Sequence, residues 1–205
     1  MMKRKILCIL MMFALALPVI SVQASSRPKL KLNKSKITII KGVSYKLKTI
    51  IPSKAKKWES KNKKIATVSS KGVVKGKKVG STYIIAKSGR YNVKCKVTVK
   101  KTSCKSIIQY GKTCNLIKGE IIRPYYEMIN AASGAKCLTD EGKAVEIYKY
   151  STKSKTYKKI KKTKKVSVNG ISFKTCAIKK GYILYLDGYS KSTKNKIIKL
   201  FKKSI

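Results

Sequence analysis

Apolar and polar positions alternate along much of the chain. KLKLN, KITII, YKLKT, STYIIA and KCKVTV all carry a period of two. That period sends one set of side chains to one face of a β-strand and the lysines between them to the other. Turn signals at Gly42, Pro52, Ser70 to Gly72, Gly80 and Gly89 punctuate these runs. Short strands with regularly recurring turns predict an all-β sandwich. No stretch before residue 100 carries a helical period.

The second half continues in short strands rich in Tyr and Ile: QYGKTCNLIKGEIIRPYY, KAVEIYKY, KKVSVNGISF and GYILYLDGY. TCNLIKGE repeats the pattern of ITIIKGV, and VSVNG with the later KKGYIL repeats VSSKG with VGSTYI. The echo predicts a second, β-sandwich-like domain. RPYYEMINAASG has room for one short helical turn between Pro124 and Gly134. The lysine-dense run KYSTKSKTYKKIKKTKK, residues 149–165, reads as two strands joined by a polar turn. The tail KNKIIKLFKKSI is expected to close the second sandwich as a strand. As a helix it would instead gather Ile197, Ile198, Leu200, Phe201 and Ile205 on one side, as a membrane-surface segment does.

The organisation expected is therefore a leader, two β domains and a short linker. Residues 1–24 read as a signal peptide: MMKRK, an apolar run from Ile6 to Ile20, and small residues at Val22 and Ala24 before Ser25. The run is short for a membrane span, and no second apolar segment follows it. Residues 28–100 form the first domain, 101–106 a linker and 107–205 a C-terminal β-rich domain.

From Leu30 to Val99 the spacing of landmarks resembles the bacterial immunoglobulin-like group 2 family. Ile37-Thr38-Ile39, Gly42, Tyr45-Lys46-Leu47 and Pro52 precede Trp58-Glu59-Ser60-Lys61-Asn62. Ile65-Ala66-Thr67-Val68, Gly72-Val73-Val74, Gly80, Thr82-Tyr83-Ile84 and Val97-Thr98-Val99 complete the series. Trp58 suits the space between two facing sheets, with Ala66, Val68, Ile84 and Val97 as core neighbours and Gly72 in a turn. The resemblance implies a structural spacer or adhesion module without catalytic residues.

Charge changes the picture more than length does. Lys and Arg number 51 against seven Asp and Glu, a formal net charge of +44, and all but Arg4, Arg27, Arg90 and Arg123 of the basic residues are Lys. A particle so charged repels itself and attracts polyanions through a field that salt screens. Lysine is a hydrated point charge, suited to loose contact with many phosphates. Anionic cell-wall polymers or other surface polyanions are the expected partners, and sequence-specific reading of nucleic acid is not expected. Lys149, Lys153, Lys155, Lys158, Lys159, Lys161 and Lys162, interleaved with Tyr148, Tyr150 and Tyr157, are the candidate contact residues.

Catalytic chemistry has little to work with. There is no His, so neither general acid–base work near neutral pH nor a Cys–His pair is available. The acids after residue 100 (Glu120, Glu127, Asp140, Glu141, Glu146, Asp187) form no known motif. No catalytic, cofactor or metal residues are assigned. Cys95 falls on an apolar strand face with Val93, Val97 and Val99, as a buried thiol. Cys104, Cys114, Cys137 and Cys176 allow three pairings. The leading expectation is an exported, non-catalytic surface or wall-associated binding or adhesion protein. A secreted cationic membrane-active effector and a carbohydrate-binding module or enzyme accessory domain are the alternatives, the last requiring a cleft of acids and aromatics in the second domain.

Overall fold

The structure, a computed structural model, describes residues 30–51, 55 and 57–205. The leader expected at residues 1–24 lies outside the described residues. Nine strands build the N-terminal part: β1 (Lys31–Leu32), β2 (Lys36–Ile40), β3 (Ser44–Lys46), β4 (Thr49–Ile51), β5 (Lys57–Ser60), β6 (Ala66–Val68), β7 (Val73–Gly76), β8 (Gly80–Ser88) and β9 (Tyr91–Lys100). One sheet runs β2-β9-β8-β5 and the facing one β3-β7-β6, with β1 and β4 as a short pair. β2 and β9 are parallel, Lys36 opposite Lys96 and Ile40 opposite Lys100.

Alternation sets what lies between the sheets. Ile37, Ile39, Ile84, Ala86, Cys95, Val97 and Val99 are buried with Ala66, Val74 and Leu47. Trp58 pairs with Ala86 across β5 and β8 and packs half-buried against this core, as does Val68. Gly72 lies beneath the indole at φ +76°; a Cβ there would stand 2.9 Å from Trp58 Cζ2 and 2.6 Å from the Leu47 carbonyl oxygen. The Trp and the turn glycine therefore fit as a pair.

The second part is not a second sandwich. It contains α1 (Cys104–Thr113), β10 (Glu120–Ile122), a 3-10 turn (Tyr126–Ile129), β11 (Ser133–Leu138), β12 (Ala144–Lys149), α2 (Lys155–Thr163), β13 (Lys165–Val168), β14 (Ile171–Lys174), β15 (Ala177–Lys179), β16 (Tyr182–Asp187) and α3 (Lys191–Lys203). One antiparallel sheet has the order β10-β11-β12-β16-β15, and β13-β14 is a separate hairpin. Asn169 and Gly170, at φ +46° and +81°, close that hairpin in the left-handed conformations that a tight two-residue turn requires. The described residues are thus mostly β with three α-helices, all in the second part.

The physical reason for the correction lies in caps and spacing. Ser103 and Ser106 form a reciprocal capping box at the start of α1. Cys104, Ile107, Ile108 and Gly111 then follow at i, i+3, i+4 and i+7 and are buried. The stretch 101–106 expected as a linker holds this cap and the first helical turn. In the lysine run, Ser154 caps α2 by accepting from the Tyr157 amide. Tyr157 and Ile160, three apart, give the helix an inward edge where two strands were expected. Ser190 caps α3, and Ile197, Leu200 and Phe201 are buried on it. The tail is accordingly a helix packed on the core rather than a closing strand.

Each face of the five-stranded sheet has its own cover. Ala135, Cys137, Val145, Ile147, Leu184 and Leu186 face α1 and α3 and join the sandwich core in one continuous cluster. Tyr148 and Ile183 face the other way, into a second cluster with Ile129, Tyr150, Tyr157, Ile160 and Val166. α1 is the wedge between the two parts. Tyr110 donates to the Ser44 carbonyl at 2.8 Å, and Thr113 Oγ1 donates to the Thr38 carbonyl at 3.0 Å. Lys34 Nζ reaches Asn115 Oδ1 at 2.7 Å. All five described cysteines are free thiols, and burial pushes that of Cys95 up to about 12.

Candidate functional site

Folding the lysine run into α2 changes what its charges can do. Lys155, Lys158, Lys159 and Lys162 follow an i, i+3, i+4, i+7 spacing, so they share one side of the helix. That side is opposite Tyr157 and Ile160, which hold α2 to the sheet, and all four lysines are exposed. Lys161 flanks this face, and Lys153 is exposed in the turn before the helix. Lys149 does not join them. It pairs with Tyr182 across β12 and β16, its Nζ lies 4.2 Å from the Tyr182 ring centroid, and it donates to the Lys180 carbonyl at 2.5 Å.

A groove of about 580 Å³ runs along α2 between the 3-10 turn and the β13-β14 hairpin. Lys155, Lys159 and Lys165 line it beside Thr156, Thr163 and Ser167, with Ile129, Ile160 and Val166 as its floor, and no carboxylate enters the lining. Three ammonium groups and, with Ser172, four hydroxyls around an apolar floor form a donor-rich surface. It can hold phosphate or carboxylate groups of an extended chain, though without the fork geometry that arginine supplies. Lys165 was not singled out in the sequence because the run ended there as a strand. It enters the groove because the chain reverses from α2 into β13.

A second groove, about 740 Å³, lies on the far side of the same hairpin, over the part of the sheet that α2 leaves uncovered. Glu146, Tyr148 and Tyr185 line it from β12 and β16, Lys136 and Leu138 from β11, and Phe173 and Lys174 from β14. Lys136 and Glu146 are opposite each other on β11 and β12, and their charges meet at 2.8 Å. Glu146 also accepts from the Tyr148 hydroxyl. Burial, and then this hydrogen bond, hold the Tyr148 phenol well above its ordinary range. Tyr148 and Tyr185 meet edge to face with centroids 6.0 Å apart. The alternation in AVEIYKY already places Glu146, Tyr148 and Tyr150 on one strand face. What it lacks is the identity of the cover on that face.

Three other acids form local ion pairs. Glu59 meets Lys87 at 2.8 Å, Glu127 meets Arg123, and Glu141 meets Lys143. All three pairs are exposed, where such contacts contribute little. Among the described residues no group of three or more Cys, Asp and Glu is placed to hold a metal ion.

Two facing sheets, one of them carrying the parallel pair β2-β9, define the N-terminal part as a β-sandwich. Residues 28–102 match the family model of the bacterial Ig-like domain (group 2), so this part of the chain is a domain of that family. No curated protein matches the chain. Among solved structures, the S-layer protein rSbsC is similar at 16% identity and a TM-score of 0.31, over 78% of this chain and 21% of that one. Domains 5-6 of the S-layer protein SbsC are similar at 18% identity and a TM-score of 0.31, over 80% of this chain and 86% of that one. The chain thus spans about a fifth of the length of the first of these.

Proposed function

We propose that this chain is an exported, non-catalytic binding protein of the cell surface or cell wall, retained there by its lysines on anionic polymers. The observation that carries the reading is the lysine face of α2 beside a groove whose lining has three lysines and no acid. Around it the whole molecule carries +44, which supplies long-range attraction to any polyanion. The Ig-like domain acts as the structural module that presents this surface. The effector alternative needs an accessible amphipathic tail, whereas the apolar side of α3 is buried against the sheet.

Retention on purified cell walls, with and without teichoic acid and across a salt series, tests the reading. Binding by the protein from Ser25 onward is expected to need the anionic polymer and to fall steeply as salt rises. Replacing Lys155, Lys158, Lys159 and Lys162 by Glu is expected to lower the salt at which half is released. Retention that survives polymer removal and high salt would exclude charge as the mechanism.

A further inference from the structure

The two grooves on either side of the β13-β14 hairpin share Ile129, Val166 and Ser172 but differ in chemistry. The groove along α2 is uniformly basic. The groove over Tyr185 carries two carboxylates, Glu146 and Asp187, and two ammonium groups, Lys136 and Lys174. Such balance is local, because basic residues outnumber acids 51 to seven in the chain. A polyanion gains nothing by leaving α2 for this groove, and a cation meets no net charge there. A wholly apolar partner would strip water from the unpaired Asp187 and Lys174 without replacing it.

What the lining offers is a mixed set of donors and acceptors beside an apolar ledge. Carboxylate oxygens accept and ammonium groups donate. The Tyr185 hydroxyl, shielded from solvent, has no hydrogen-bond partner in the protein. Shielded in this way, Tyr185 offers the groove its ring and not its hydroxyl. Phe173 on β14 lines the same groove and is 49% exposed, and Leu138 opposite is 41% exposed. A pyranose presents C–H groups on its face and hydroxyls, each both donor and acceptor, around its rim. The groove's volume falls in the range of small-ligand sites.

We propose that this groove binds uncharged sugar residues of a glycan chain, the ring faces resting on Phe173 and the hydroxyls meeting Glu146, Lys136 and Asp187. The site is independent of the lysine face, and the two side by side would let one polymer carrying both sugars and anionic groups engage across the hairpin.

The test uses the chain from Ser25 onward in 1 M salt, where charge-driven retention is suppressed. Immobilised glucan, mannan and chitin are the probes, followed by titration with a soluble oligomer of whichever retains the protein. Retention on at least one is expected, with Phe173→Ala weakening it roughly tenfold. Asp187→Ala is expected to weaken it too, and Lys159→Glu to leave it unchanged. Phe173 is exposed, so its loss leaves the folded core intact, as circular dichroism would confirm. No retention on any of the three at high salt would overturn the proposal, and so would a Phe173→Ala variant that binds like the parent. Failure of the wall-polymer reading would show separately, as low-salt retention on teichoic-acid-bearing walls that replacing Lys155, Lys158, Lys159 and Lys162 leaves unchanged.

Discussion

At the scale of single residues, the tightest fit in the N-terminal domain is that between Gly72 and Trp58. Gly72 is buried at a positive φ, where any side chain is strained, and a Cβ would collide with the Leu47 carbonyl and the indole together. Gly72→Ala is expected to cost roughly 2–3 kcal/mol. Gly42→Ala, also at positive φ but with nothing within 4 Å, should cost only about 1 kcal/mol. Urea midpoints of the two variants check this, and equal losses would show that backbone strain alone matters. Both glycines and Trp58 are legible in the sequence, since each has a local reason that needs no knowledge of distant contacts. Glu146 is the opposite case. Its neighbours along the chain mark its face, but its meaning comes from Lys136 and Tyr185, which adjacent strands bring to it.

Elements show the same division. β2, β8 and β9 follow from alternation, and VSVNGISF announces a hairpin through its Asn-Gly turn. α1, α2 and α3 were hidden for different reasons. α1 is capped by Ser with Ser rather than Glu at the third position, so its capping box lacks the usual acid. α2 buries only two residues, too few to set a period. α3 looks equally apolar as strand or helix until its Ser190 cap is noticed. α1 has the greatest structural consequence, because it docks the sandwich to the sheet. Tyr110→Phe keeps its packing and removes only the hydroxyl that serves the Ser44 carbonyl. A loss of about 1 kcal/mol is expected in chemical denaturation. An unchanged midpoint would mean that packing alone holds the wedge.

For the molecule as a whole, the distribution of titratable groups predicts an unusual pH response. Burial holds the thiols of Cys104, Cys114 and Cys137 and the phenols of Tyr110, Tyr150 and Tyr185 above their ordinary values, and Cys95 at about 12. Each keeps its proton in the folded chain at a pH where the unfolded chain has lost it. Their contribution is therefore complete below the unfolded values of 9.0 for thiols and 10.0 for phenols, and is lost as pH rises through the folded ones. On the acid side only Glu59 and Glu141 are lowered, through hydrogen bonds from Lys87 and Lys143, and both are exposed. Protonating every carboxylate adds only seven charges to +44. The urea midpoint is expected to change little from neutral pH to about pH 4 and to drop progressively above about pH 9. A steep loss in acid with alkaline resistance would contradict this assignment of groups.

The parallel pairing of β2 with β9 also has a mechanical consequence. Tension applied to the two ends of the Ig-like domain runs along both strands in opposite directions. It loads their five paired positions, Lys36 to Ile40 against Lys96 to Lys100, together in shear instead of opening them one by one. Thr113 and Tyr110 brace the same region from α1, on β2 and on the start of β3. Loaded from end to end, such a domain would pass force on at nearly constant length.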